Sequence, residues 1–243
     1  EHMYVRAYDW EIQSSREDGM NILCWCLNRK SEPVLLRIVG FPAFFHVELP
    51  LYVDGKRHEW TKGQVQDIHD TLCRRLGRRD NPGPEGNIID DSPSDDFYVS
   101  RKKKLYYYRG ETTHVMISEK FHSIEAMRHG ANLIKQGFEV RGLGFLDLNV
   151  WENNIDPVLK LLAKRNIRHS SWFKVAEHRK VSGDEKISTV DEEYIVSWRY
   201  LECLNNEESR ESNGWKLYPR ILSFDIECYT DNHKAMPNKK KIK

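Results

Sequence analysis

At 243 residues the chain can hold one large domain or two small ones around a real apolar core, which excludes a mini-protein that depends on staples. Its 38 Lys and Arg balance 37 Asp and Glu, and 31% charged against 39% hydrophobic residues is ordinary globular composition, so net charge names no partner. No run of about 18 apolar residues and no basic-then-apolar leader occurs, which predicts an intracellular protein without a membrane span or a secretory signal.

The chain opens on three predicted strands, Tyr4–Gln13, Met20–Asn28 and Pro33–Leu49, separated by turn-like segments and read as an antiparallel meander. Cys24 and Cys26 share a face of the second strand, which predicts a buried pair and not a metal site. With Cys73, Cys203 and Cys228 they make five scattered cysteines, an odd set expected to stay reduced. Val65, Ile68, Leu72 and Leu76 recur at helical spacing within Thr61–Leu76, and Gly77 is placed to stop the helix. The segment 78–96 is dense in Pro, Gly, Asp and Ser and is expected to be a mobile loop.

Strands are predicted next at Leu105–Arg109 and His114–Ser118, then a helix over Ser123–Gln136 ended by Gly137. Phe138–Val140 reads as a short strand, and Asp156 before Pro157 as the N-cap and first turn of a helix to about Arg165. Trp172–Glu177 and Glu193–Leu201 return to strand character, Asn205–Gly214 reads as a polar loop, and Pro219–Tyr229 as an apolar strand. Strands outnumber helices without alternating regularly with them, so the class is α+β, mixed and largely antiparallel. Glu1 and His2 before Met3 are expected to be an expression remnant, and the charged end 239–243 carries no cap or strand signal.

Two constellations carry chemistry. In Ile221–Cys228 an apolar strand bears Asp225 and Glu227 at positions i and i+2, which the pleat puts on one face. Paired carboxylates on a rigid strand suit a two-metal phosphodiesterase, because hard divalent cations take oxygen ligands. The bland alternative is an edge strand with solvated acids. The second constellation is Arg101, Lys102, Lys103 and Lys104 running into Leu105, Tyr106, Tyr107 and Tyr108. Tyr106 and Tyr108 share a strand face and can stack bases while the cations neutralise phosphate; the alternative is core tyrosines beside a solvated basic edge. A smaller group, Arg74, Arg75, Arg78 and Arg79, reads first as complementing the dipole of the helix it ends. His58, His69, His114, His122, His129, His169 and His178 show no metal-ligand spacing and are expected in polar packing or at the surface. No P-loop, dinucleotide fingerprint or G-x-S-x-G elbow is present.

Pro219–Cys228 (P-R-I-L-S-F-D-I-E-C) resembles the first exonuclease motif of family B DNA-directed DNA polymerases. Val34–Val47 (VLLRIVGFPAFFHV) resembles the family's strand that enters a glycine and an aromatic, proline-containing turn. Val150–Val175, with its N-N-I-D-P, resembles a helix ending in a Trp-bearing strand, in wording most like polymerases of large DNA viruses. The resemblance implies that Asp225 and Glu227 are metal ligands of a 3′→5′ proofreading exonuclease using Mg²⁺ or Mn²⁺. The family's remaining ligands fall in later motifs that have no counterpart after Tyr229, so the fragment is expected to be inactive and to hold no metal tightly.

The same resemblance implies an N-terminal domain with an OB-like barrel portion, residues 1–50 plus 170–205, and an RNA-recognition-like α/β portion, 51–150. Residues 151–169 are then a connecting helix and 218–243 the start of the exonuclease domain. Implied partners are DNA, as template strand and primer terminus, or a replication accessory protein docked by the proline-rich loop or basic helix end. The implied setting is the nucleus or a viral replication compartment.

Overall fold

The computed structural model describes residues 2–15, 18–53, 55–80, 98–103, 113–219 and 222–223. β1 (Met3–Ser15), β2 (Gly19–Asn28) and β3 (Pro33–Val39) form the expected antiparallel meander, with a bulge between Ala7 and Asp9. Val5, Ile22, Cys24, Cys26, Val34, Leu36 and Ile38 are wholly buried, the inward alternation that a sheet over a core requires.

The single strand expected over Pro33–Leu49 is corrected to two, because β4 (Ala43–Leu49) belongs to a different sheet. The break has a local cause. Gly40 adopts a φ of 79°, Pro42 has no amide hydrogen to give a ladder, and buried Phe41 turns in to meet Trp198 with ring centroids 5.3 Å apart.

A small hairpin of β5 (Tyr52–Val53) and β6 (Lys56–Arg57) leads to α1 (Lys62–Asp80). Thr61 and Gln64 cap it reciprocally, Thr61 N donating to Gln64 Oε1 at 3.1 Å and Gln64 N to Thr61 Oγ1 at 3.3 Å. Gly77 interrupts α1 where the sequence places a stop (φ 67°, ψ −178°), and helix resumes briefly to Asp80. Residues 78–80 of the expected loop are therefore helical, and 81–96 lie outside the described residues. β7 (Tyr98–Lys102) pairs antiparallel with β8 (His114–Phe121); the strand expected at Leu105–Arg109 lies outside the described residues.

α2 (Ile124–Lys135) starts at Ser123, whose hydroxyl accepts from Ala126 N, and is followed by the hairpin β9 (Phe138–Val140) and β10 (Gly144–Leu146). After β11 (Asn149–Trp151), α3 (Pro157–Arg165) is capped as expected by Asp156, whose carboxylate accepts from Val158 N at 2.7 Å. β12 (Trp172–Val175), β13 (Arg179–Val181), β14 (Glu192–Ser197) and β15 (Leu201–Cys203) follow. The strand expected over Glu193–Leu201 is interrupted by a 3-10 turn at Trp198–Tyr200.

The expected polar loop Asn205–Gly214 holds a helix, α4 (Asn206–Ser212), formed around a capping box between Asn205 and Glu208. Of the strand expected at Pro219–Tyr229, Pro219, Leu222 and Ser223 are described and belong to no strand; the others lie outside the described residues.

The fold is α+β. One seven-stranded sheet, in the order β13-β14-β3-β2-β1-β12-β15, is antiparallel except where β14 runs parallel to β3. A four-stranded antiparallel sheet, β11-β4-β8-β7, draws on residues 43–49, 98–121 and 149–151. Phe45, Val47, Leu49, Ile117 and Phe121 share one face of that sheet and join Ile68 and Leu72 of α1 and Met127, Ala131 and Ile134 of α2 in one core. That core is continuous with the buried face of the seven-stranded sheet. No helix among the described residues is long and apolar enough to cross a membrane.

Candidate nucleic-acid interface and metal motif

The basic stretch begins at the end of β7, which among the described residues is an edge strand of the four-stranded sheet. Arg101 and Lys103 are exposed, and Lys102 pairs with His114 in the ladder. Lys104, Tyr106 and Tyr108 lie outside the described residues. The register puts Phe44, His46, Glu48, Ser118 and Trp151 on one sheet face.

That face is polar and closely tied. Glu48, buried, accepts from Trp151 Nε1 at 2.8 Å, and its other oxygen lies 2.8 Å from His114 Nδ1. His46 Nδ1 is 2.8 Å from Ser118 Oγ, and Nε2 is 3.6 Å from Glu152. Lys160 of α3 donates to the Phe44 carbonyl at 2.5 Å and stands 4.1 Å from that ring. The network fixes β4, β8 and β11 side by side.

Asp225 and Glu227 lie outside the described residues; the described segment that precedes them, as far as Tyr218, is firmly held. Glu208 of α4 accepts from Lys174 Nζ at 3.1 Å, from Tyr4 OH at 3.0 Å and from Asn205 N at 2.8 Å. The backbone hydrogen bond from Asn205, followed by those from Lys174 and Tyr4, holds its carboxyl below the usual range despite the opposing effect of burial. Trp215 then meets Trp172 and Tyr4 edge-on at 5.0 and 5.3 Å, under the Arg29 guanidinium at 4.4 Å. Tyr218 N donates to Ser31 Oγ at 3.0 Å. The segment after α4 is thereby pinned to β1, β12 and the β2–β3 turn.

Beside it opens a cleft of about 1450 Å³, whose charged lining is Arg6 and Lys30 against Glu32, Asp191 and Glu192. Mixed charge of that kind does not make the uniformly positive track a phosphate backbone needs. Among the described residues no three His, Cys, Asp or Glu side chains converge on a metal position. Cys24 and Cys26 are both fully buried, as the shared strand face predicts.

The basic helix end behaves differently from a simple dipole complement. Arg75 reaches across to donate to the Gly137 carbonyl at 3.2 Å, its guanidinium 5.9 Å from the Phe138 ring, and so ties α1 to the end of α2. Arg74 is exposed, and the side chains of Arg78 and Arg79 lie outside the described residues. Sequence reasoning missed one cluster, formed by His69 and Cys73 of α1 with Glu119 of β8. His69 Nδ1 is 2.9 Å from Glu119 Oε2, and Nε2 is 3.3 Å from Cys73 Sγ. The i, i+4 spacing of His69 and Cys73 was the available signal; Glu119 gave none.

Comparison with known proteins defines the class. Residues 148–243 match the family described as DNA polymerase family B, exonuclease domain. More narrowly, its relatives include viral polymerases. It is 26% identical over 249 residues to DNA polymerase 037L of Invertebrate iridescent virus 6, covering 93% of this chain and 18% of that protein. It is 21% identical over 227 residues to the DNA polymerase of Acanthamoeba polyphaga mimivirus, covering 90% and 12%. The DNA polymerase delta catalytic subunit of Caenorhabditis elegans is 25% identical over 228 residues, covering 92% and 20%. The chain therefore spans about a fifth or less of the relatives it matches. In fold it is similar to the family B DNA polymerase of Pyrobaculum calidifontis, with a TM-score of 0.54 at 12% identity over 84% of this chain and 21% of that one.

Proposed function

We propose that this chain is the N-terminal part of a replicative DNA-directed DNA polymerase with a 3′→5′ proofreading exonuclease, in which it scaffolds the exonuclease and guides single-stranded template. The observation that carries the reading is the family match over residues 148–243, which spans Asp225 and Glu227. Two carboxylates are hard oxygen donors of the kind Mg²⁺ or Mn²⁺ prefers, so the donor set fits the implied metal. Such a cation, once bound, stabilises charge on the attacking and leaving oxygens of a phosphodiester. The contribution of the described residues is positional: contacts of Glu208, Trp215 and Ser31 hold the segment up to Tyr218, which precedes the two carboxylates in the chain, against β1, β12 and the β2–β3 turn.

The finer architecture belongs to the same proposal. Residues 1–50 with 170–205 form the OB-like portion and 51–150 the RNA-recognition-like portion, with β4 crossing from the first into the sheet of the second. DNA is the partner, at the template strand and primer terminus, in a nucleus or viral replication compartment. Arg101, Lys102, Lys103 and Lys104 supply cations and Tyr106 and Tyr108 supply stacking faces on the template path.

Fluorescence anisotropy of a labelled single-stranded oligonucleotide against a duplex tests the template role. Binding is expected to favour the single strand and to weaken with salt. In a Lys102/Lys103/Lys104→Glu variant the salt slope is expected to fall by about 2, at roughly 0.7 for each phosphate no longer neutralised. No binding at micromolar protein would remove the stacking role of Tyr106 and Tyr108. Capture of a replication processivity factor in that case would make the chain a docking module instead.

A further inference from the structure

Glu119 pairs with Phe45 across the ladder on the apolar face of the four-stranded sheet, and is 1% exposed. A carboxylate at such a position costs stability unless it is matched by a cation and hydrogen bonds, and an apolar residue would fill the site at less cost. Its match is His69, 5% exposed and 2.9 Å away. Burial alone would lower the His69 pKa, but its hydrogen bonds with Cys73 and Glu119 and their charges raise it to about 10. The ring is thus an imidazolium at neutral pH, donating from Nδ1 to Glu119 and from Nε2 toward Cys73 Sγ at 3.3 Å. Nucleophile, imidazole and orienting carboxylate stand in line, and the nucleophile is the partly exposed member.

We infer that Cys73 is a reactive thiol, set up by the His69–Glu119 pair, that is modified by small disulfides of the glutathione class. The cysteine sulfur attacks one sulfur of the disulfide, and a new S–S bond to Cys73 forms as the original S–S bond breaks. Cys73 is oxidised, and the expelled half is reduced and leaves as a thiol, taking the proton held between Sγ and the imidazole. Exposed Arg74 beside it favours an anionic disulfide. The inference is independent of the polymerase reading.

The other cysteines set the scale. Cys203 is exposed, whereas Cys24 is fully buried and its thiol is pushed well above the ordinary range, first by burial. The whole chain is treated at pH 7 with iodoacetamide, and separately with glutathione disulfide, and occupancy of each cysteine is followed in time by peptide mass spectrometry. Cys73 is expected to react about tenfold or more faster than Cys203 despite its lower exposure. In His69→Gln the Cys73 rate falls to that of Cys203 or below, with the Cys203 rate unchanged. A wild-type Cys73 no faster than Cys203 overturns the inference, as does a folded H69Q chain with undiminished Cys73 reactivity. If H69Q does not fold by circular dichroism, the wild-type comparison decides alone.

Discussion

Glu193→Ala is expected to lower the unfolding free energy of the chain by about 3 kcal/mol, the lower end of the range for removing one partner of a buried ion pair. Glu193 sits on β14 with no exposure, and its carboxylate gathers the preceding loop. It accepts from Ile187 N at 3.2 Å, Ser188 N at 3.1 Å, Ser188 Oγ at 2.8 Å and Arg37 at 3.4 Å. Alanine removes the acceptor of the Ile187 and Ser188 amides and of the Ser188 hydroxyl, which are partly buried, and a fully buried unsatisfied group costs roughly 1–3 kcal/mol. The lower end applies because the Arg37 side chain is 24% exposed and keeps its bond to the Glu185 carbonyl at 3.0 Å. β14 is also the strand that runs parallel to β3, so loosening it releases β13 from the sheet edge. Urea unfolding checks this: the midpoint falls while the slope with denaturant is unchanged. Glu193→Gln, which keeps the shape and one acceptor oxygen, is expected to cost less than alanine. A midpoint equal to wild type would show that the loop is held by other means.

In a polymerase chain that runs on through the later exonuclease motifs, Asp225→Ala is expected to slow 3′→5′ cleavage roughly a hundredfold or more. The magnitude follows from losing several kcal/mol of transition-state charge stabilisation when a ligand to the catalytic cation is removed. Glu227→Ala is expected to do the same, because the proposed reading makes both carboxylates ligands of one metal site. The double variant adds little to either single one, since groups acting as a unit are strongly non-additive. Primer extension at low mismatch load stays near the unaltered level. Cleavage rates of a mismatched primer in single-turnover experiments provide the check. Near-full cleavage by either single variant would leave the pair as solvated acids of an ordinary strand.

What the sequence disclosed was local. Asp156 before Pro157 and Ser123 ahead of an apolar periodicity each mark a helix start by the chemistry of one or two residues, and each start is where those residues put it, whereas Gly77 only kinks α1, which resumes to Asp80. What it concealed was set by distant partners. The break between β3 and β4 has its local marks in Gly40 and Pro42, but that the chain passes there into a second sheet is fixed by the distant packing of Phe41 on Trp198. Residues 205–214 have no apolar face and read as a loop; Glu208, held by Lys174 and Tyr4, is what binds that helix to the sheet.

The same division applies to the sites. D-I-E is a local signal, legible from two carboxylates two positions apart in an apolar stretch and from its likeness to a family motif. The pairing of His69 with Glu119 spans 50 positions, and no spacing rule connects them. The edge position of β7 is likewise a property of the sheet, since its only ladder partner among the described residues is β8.

The most direct measurement is degradation of a 3′-mismatched primer with Mg²⁺, comparing the 243-residue chain with one extended through the later exonuclease motifs. Negligible cleavage by the shorter chain and metal-dependent 3′→5′ cleavage by the longer are expected. Robust cleavage by the shorter chain, free of contaminating nuclease, or an inert extended chain would contradict the assignment of Asp225 and Glu227 to an exonuclease site completed by later residues.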